Sequence, residues 1–225
     1  PKDILKNKKY IIGFDPKIFT KKILSTFFNG KNFEFKSIKN NLIDEIWKRE
    51  IVSNKKKFFS LTNESVGKNY RFKIKKIADF LKKRKADYQF ITACENNAWL
   101  LNIRGRDVIY SPIPFCYVLI DKNKNISFFC NLKKIPSSLK RKFKQISFID
   151  IKFTEEILSK IYKKKFIIDK NTCSYYFENI ILKNNKILNL DDPIYALKAI
   201  KSKKEIKNIK TAHIYDGVAL TKYLF

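Results

Sequence analysis

The stretch ENNAWLLNIRGRDVIYSPIP, residues 95–114, decides how the middle of this chain is read. Trp99, Leu100, Leu101 and Ile103 form an apolar run with the look of a strand. Gly105 follows, able to relieve a tight turn. Pro112 and Pro114 then hold the next segment extended, because proline fixes φ and pushes the residue before it out of the helical region. Nearly every positive charge elsewhere is lysine, yet here Arg104 and Arg106 flank the glycine. A planar guanidinium can clamp a carboxylate with two parallel hydrogen bonds, and the nearest internal partner for Arg104 is Asp107. The spacing favours an Arg104–Asp107 pair that only fixes the turn over a loop that receives an external carboxylate.

On both sides of this stretch the pattern alternates. Upstream, GKNYRFKIKKIADFLKKRKAD places Ile74, Ile77, Ala78 and Leu81 at i, i+3, i+4 and i+7, the mark of an amphipathic helix with a solvated lysine face. YQFITA, the WLLNI run, FCYVLID and ISFFCNL read as β-rich segments, the last two joined by a polar KNKN turn. Helices are expected from Ser137 to Lys144 and over 155–164, the second capped by Thr154 with Glu155 and Glu156 in its first turn. FIIDK, a SYYFENIIL helix and KILNL continue the series. Interleaved strands and helices predict an α/β sheet covered by helices.

The flanks read differently. KYIIGFD (9–15) suggests a strand, after which Asp15 as cap and Pro16 at the first helical position open a helix through Leu24 and Phe28. FEFKSI (33–38) alternates like a strand, and NNLIDEIWKRE (40–50) sets Leu42, Ile43, Ile46 and Trp47 on one helical face. Roughly 50 residues make a marginal core alone, so this piece is expected to complete a domain whose beginning is missing, with SNKKK (53–57) as a linker after it. Near the other end, Ser202 and Glu205 have the spacing of a capping box. Ile206, Ile209, His213, Asp216, Leu220 and Leu224 then track one side of a long helix that opens a new domain. Residue 1 is proline and methionine is absent, so a piece of a longer protein is expected.

With 225 residues, 44% of them hydrophobic, the composition is that of a globular protein. No apolar run approaches the roughly 20 residues needed to span a bilayer, and no secretory signal is visible, so a cytoplasmic location away from membranes is expected. Lys and Arg outnumber Asp and Glu by 49 to 21, a formal charge of +28 that would suit a polyanion. The lysines, however, are spread through nearly every segment. Lys, Asn, Ile and Phe also dominate together, all with codons rich in A and T. Base composition therefore accounts for the charge better than a specific nucleic-acid partner, and a stand-alone basic α/β binding module without enzymatic activity is the alternative. Cys94, Cys116, Cys130 and Cys173 include no C-x-x-C pair and read as buried reduced thiols. His213, the single histidine, leaves no multi-histidine metal site and no other histidine base for a nucleophile. The neighbouring carboxylates Glu155-Glu156 and Asp191-Asp192 suit a helix start and a turn before Pro193 rather than acid–base work. The glycines never cluster as a phosphate-binding loop. Taken by its residues, the chain carries no catalytic centre.

A wider pattern runs through these segments. AWLLNIRGRDVIYSPIPFCYVLI (98–120) resembles the AWLxNLRGxD stretch, with its following proline and SYxxI, of the long three-domain Xaa-Pro aminopeptidases, the aminopeptidase P family. IIGFDPKIFT resembles that family's GxDP element, NLIDEIWKRE its NLVDxIWxxRP element, and KAIKSKKEIKNIKTAHIYDGVAL the opening of its catalytic domain. The resemblance implies an α/β chain of two creatinase/prolidase N-terminal-type domains, each a mixed sheet flanked by helices. Residues 1–52 would be the C-terminal part of the first, 53–190 the second, and 191–225 the truncated start of the pita-bread catalytic domain. It implies removal of the first residue from peptides with proline in second place, by a parent metalloaminopeptidase that commonly dimerises. Two divalent ions, usually manganese, would be held there by two Asp, one His and two Glu, none of which matches a position in 1–225. Catalytic and metal-binding residues are thus expected outside this chain, which would be inactive alone and bind no metal. Trp99, Asn102, Arg104 and Asp107 would serve as architecture near the substrate entrance and in subunit assembly, while Lys198, Glu205, His213 and Asp216 mark the opening of the catalytic domain. Three departures stand out: Ile51 where proline commonly follows the arginine, Lys203-Lys204 before Glu205, and Cys116 where serine is frequent.

Overall fold

The structure, a computed structural model, describes residues 9–29, 32–47 and 55–225. In chain order it begins with β1 (Tyr10–Phe14), α1 (Lys21–Phe27), β2 (Phe33–Ser37) and α2 (Leu42–Ile46). Next come β3 (Phe59–Ser60), α3 (Asn63–Val66), α4 (Tyr70–Lys83), β4 (Tyr88–Ile91), α5 (Cys94–Leu101) and β5 (Ile103–Arg104). β6 (Cys116–Asp121), β7 (Ile126–Cys130), α6 (Ser137–Lys142), β8 (Ile146–Asp150), α7 (Thr154–Ser159), β9 (Lys165–Ile168), α8 (Tyr175–Leu182) and β10 (Lys186–Asn189) follow. The last elements are α9 (Pro193–Ala199) and α10 (Lys203–Leu224).

Six strands form the central sheet in the order β10-β9-β4-β6-β7-β8. β6 pairs antiparallel with both β4 and β7, whereas every other neighbouring pair is parallel, so β6 alone runs against the rest of a mixed sheet. The β6–β7 hairpin closes over the KNKN turn. There Asp121 accepts from the backbone N–H of Asn123 and Asn125 at 2.8 and 2.9 Å, and Lys124 takes the left-handed conformation.

Alternation along each strand sends side chains to opposite faces. Cys116, Val118 and Ile120 of β6 join Phe128, Ile167 and Ile91 in a core with Ile74, Ile77, Leu81, Leu100 and Leu101 from α4 and α5. Leu119, Phe90, Phe129, Phe166 and Ile168 pack on the other face with Leu158 of α7 and with Ile180 and Ile181 of α8. Burial on both faces is why these strands read as nearly continuous apolar runs. The expected mixed α/β sheet covered by helices is the observed architecture.

Several local readings change. WLLNI is no strand: Trp99, Leu100 and Leu101 end α5, and Asn102 stops the helix in the left-handed conformation at φ 55°. A short apolar run fits a buried helix as well as a strand, and the asparagine decides between them. Asp15-Pro16 forms a turn, with Lys17 N–H donating to the Asp15 carboxylate at 2.9 Å. Helix α1 starts later, capped by the Thr20 hydroxyl on Ile23 N–H at 3.1 Å. Thr154 donates its hydroxyl to the Ile151 carbonyl at 2.6 Å instead of capping, because a 3-10 turn over Ile151–Phe153 precedes it, and α7 ends at Ser159 rather than 164. The face of α2 carrying Leu42, Ile43, Ile46 and Trp47 is exposed, and Lys48 to Glu50 of that expected helix lie outside the described residues, as do Ile51, Ser53 and Asn54.

The opening β1–α1–β2 unit, with its strands parallel in the register Tyr10↔Phe33, docks on α8. Tyr175 N–H donates to the Phe19 carbonyl at 2.7 Å, Tyr176 N–H to that of Pro16 at 2.8 Å, and Phe14 meets the Tyr175 ring edge-on. Lys21 pairs with the buried Glu178 at 3.0 Å. At the far end the capping box of α10 is formed: Glu205 N–H donates to Ser202 Oγ at 3.2 Å, and Ser202 N–H to Glu205 Oε2 at 2.7 Å.

Candidate functional site

Helix α4 explains how the central motif is held. Its apolar stripe buries Tyr70, Ile74, Ile77, Ala78 and Leu81, and Lys73 falls on the same stripe, 2% exposed, instead of on the solvated lysine face. The Lys73 ammonium donates to the Trp99 carbonyl at 2.8 Å and to Asn102 Oδ1 at 2.6 Å, and it lies 4.1 Å from the Trp99 ring centroid. These are C-terminal groups of α5, where free carbonyls and the negative end of the helix dipole favour a cation. Burial nevertheless pulls the Lys73 pKa down to about 8; Glu205 opposes the shift, while Arg104 and Lys68 add to it.

Asn102 serves both neighbours. It donates from Nδ2 to the Lys68 carbonyl at 3.1 Å while accepting from Lys73, and its own carbonyl accepts from Leu61 N–H at 2.9 Å. Arg104 does not pair with Asp107. Its Nη1 donates to the carbonyls of Ala98 and Ile103 at 2.6 and 3.0 Å, so it closes the end of α5 onto β5, and burial lowers its pKa. Asp107 instead accepts from Lys134 and, at 2.8 Å, from Phe115 N–H. Both side chains of the Lys134–Asp107 ion pair are largely buried. The expected Arg–Asp pair does not form: Arg104 donates to the carbonyls of Ala98 and Ile103, and Lys134, distant in sequence, reaches Asp107. Gly105 is needed for room: a Cβ there would stand 2.7 Å from Pro114 Cα and 3.0 Å from the Phe58 ring.

Two of the late motif residues join this region. Glu205 lines a cavity of about 30 Å³ together with Lys73, Trp99, Leu197 and Ile200. Lys198 donates to Asn96 Oδ1 at 2.6 Å. Asn96 in turn donates to Asp192 Oδ2 at 2.7 Å, and Gln89 donates to Asp192 Oδ1 at 3.0 Å. Asp192 caps α9 through Ile194 N–H at 3.0 Å, with Pro193 at the first helical position, so the Asp191-Asp192 turn includes a buried helix cap. Burial raises the Asp192 pKa against those hydrogen bonds. His213 and Asp216 sit exposed on α10, apart from this cluster. Lys73, Gln89, Asn96 and Lys134 escaped the sequence reading, which placed Asp192 only in a turn before Pro193. Only Lys73 left a signal, its place four residues before Ile77 and eight before Leu81 on the apolar stripe, which its charge concealed.

Among the described residues no group of three or more His, Cys, Asp or Glu could hold a metal ion, and none of the helices is long and apolar enough to cross a membrane. The arrangement is a packed, hydrogen-bonded joint between α4, α5 and β5, with Glu205 of α10 lining the small cavity beside it.

A mixed sheet with helices on both faces, joined in this way to a long terminal helix, matches a known class. The chain belongs to the creatinase/prolidase N-terminal domain family, which matches residues 50–205. It is 30% identical over 226 residues to Xaa-Pro aminopeptidase ApepP of Drosophila melanogaster, covering 96% of this chain and 36% of that protein. To Xaa-Pro aminopeptidase 1 of Dictyostelium discoideum it is 29% identical over 234 residues, covering 97% of this chain and 36% of that one. The crystal structure of the X-prolyl aminopeptidase of Caenorhabditis elegans, a cytosolic enzyme with a di-nuclear active site, shares the fold with a TM-score of 0.85 at 24% identity. That match covers 97% of this chain and 37% of the other. The chain thus spans little more than a third of the length of the curated relatives it matches.

Proposed function

We propose that this chain is the non-catalytic N-terminal portion of a metal-dependent Xaa-Pro aminopeptidase, a hydrolase that removes the first residue from peptides with proline in second place. The observation that carries the reading is the agreement over nearly the whole chain with two Xaa-Pro aminopeptidases. Residues 53–190 act as the second creatinase-type domain and 1–52 as the end of the first. Residues 191–225 lead into the catalytic part, which holds two divalent ions, Mn²⁺ by family resemblance. On this reading the catalytic and metal-binding residues lie outside residues 1–225, as the family resemblance implies. Their work is mechanical. The Lys73–Trp99–Asn102 joint and the Asp192 network fix how α9 and α10 leave the sheet, and with them the approach to the substrate entrance and the subunit interface of a cytoplasmic homodimer.

The test is hydrolysis of Xaa-Pro peptides by the full-length gene product, loaded in turn with Mn²⁺, Co²⁺ and Zn²⁺. Release of the first residue from Xaa-Pro peptides, absent for peptides with alanine in second place and abolished by chelation, is the expected result. A full-length product that leaves Xaa-Pro peptides intact with every metal overturns the reading.

A further inference from the structure

The cysteines, expected from the sequence to be buried reduced thiols, are not equivalent. Cys94 is the first residue of the eight-residue helix α5 and is partly exposed. Its sulfur donates to the carbonyls of Thr92 and Cys116, at 3.8 and 3.3 Å, which sets it directly against Cys116, the first residue of β6. Cys116 is fully buried. Backbone N–H groups at a helix start favour a thiolate. The contact with the Cys116 side chain pulls the Cys94 pKa below its ordinary value, with burial, Glu95 and Asp107 opposing, whereas burial pushes Cys116 well up. Cys94 is therefore the more accessible sulfur of a neighbouring pair, set beside a fully buried second cysteine. Cys130 faces Cys116 across the β6–β7 ladder but is buried and pushed up to about 12, and Cys173 lies in the opposite core, also pushed up by burial.

We propose that Cys94 and Cys116 form a peroxide-sensitive dithiol, Cys94 attacking and Cys116 resolving. The Cys94 thiolate attacks one oxygen of hydrogen peroxide. An S–O bond forms as the O–O bond breaks, and the departing hydroxide takes up a proton to become water, leaving Cys94 as a sulfenic acid. The Cys116 sulfur then attacks the Cys94 sulfur, an S–S bond forming as the S–O bond breaks. The Cys116 proton leaves with the hydroxyl as a second water. Two thiols and one peroxide become one disulfide and two waters, a two-electron oxidation of the pair. The new bond joins the start of α5 to the start of β6 and so closes the Trp99–Pro114 segment into a covalent loop.

The test uses the full-length protein, treated with hydrogen peroxide, blocked with iodoacetamide and digested without reduction for peptide mapping by mass spectrometry. The expected product is a Cys94–Cys116 linked peptide pair, lighter by two hydrogens than the separate peptides. Before oxidation, Cys94 should alkylate at neutral pH at least tenfold faster than Cys130 or Cys173. Cys116→Ser should stop at the sulfenic acid and take a dimedone label at Cys94, and Cys94→Ser should give neither label nor disulfide. Peroxide treatment of the wild type that leaves both thiols free for alkylation, or links either to Cys130, overturns the proposal without reference to peptidase activity, even where a serine variant fails to fold.

Discussion

The Lys73 ammonium rests 4.1 Å from the centroid of the Trp99 ring while donating to the carbonyl of that same residue. One side chain thus grips another from its face and from its backbone. The grip holds α4 against the end of α5, the point from which the rest of the motif is hung.

Because burial lowers the Lys73 pKa to about 8 from the ordinary 10.5, the unfolded chain binds a proton there more tightly than the folded one. Stability linked to Lys73 is therefore reduced below pH 8 and recovers as the pH rises towards 10.5. That recovery amounts to about 3 kcal/mol, given about 1.4 kcal/mol per pKa unit. Other lysines titrate in the same range, so the comparison is with Lys73→Met. Urea unfolding at pH 7.5 and at pH 10 should show the wild type gaining on the variant as the pH rises, and a constant difference would contradict the assignment.

Replacing Asn102 separates two of its duties. Asn102→Ala strains a left-handed position and leaves the buried Lys73 short of an acceptor, for a loss of about 2–4 kcal/mol. Asn102→Gly keeps the conformation and loses only the hydrogen bonds, so it should cost clearly less. Equal losses in thermal unfolding would mean that the backbone conformation is immaterial.

Gly105 is constrained by space, since the atom a Cβ would meet at 2.7 Å is main chain and has no rotamer to yield. Gly105→Ala should lower stability by about 1–3 kcal/mol, the usual range for an overpacked interior. Thermal melting of the variant at unchanged secondary structure content is the measurement.

Arg104 donates to carbonyl oxygens of its own segment, which predicts a structural role. In the full-length dimeric aminopeptidase proposed above, Arg104→Ala should lower the melting temperature or the dimer fraction in parallel with activity. Turnover that falls while melting and oligomeric state stay unchanged would place Arg104 in direct contact with substrate.

The sheet was legible because its strands are short, apolar and separated by turn residues, and the capping box announced α10 at Ser202. The joint was harder to read. WLLNI has the same composition in a helix as in a strand, and what ends it is the conformation of Asn102, which no periodicity records. Arg104 and Asp107 are close in sequence, yet each finds its partner elsewhere: Arg104 in the carbonyls of α5, Asp107 in Lys134. Contacts of this kind depend on which elements meet, and Lys73 on α4 could be matched to Asn102 only once both were in place.

The long helix α10 has one further mechanical consequence. Its root is tied by the Ser202–Glu205 box and by Asn208, which donates to the carbonyls of Glu64 and Ser65 at 3.1 and 3.3 Å, while its later residues are bare. With 22 residues it is about 33 Å long, so a tilt of about 5° at that root swings its tip by roughly 3 Å. Whatever the tip carries is aimed from the base, and small adjustments around Ser202 and Asn208 act like a hand on the short arm of a lever.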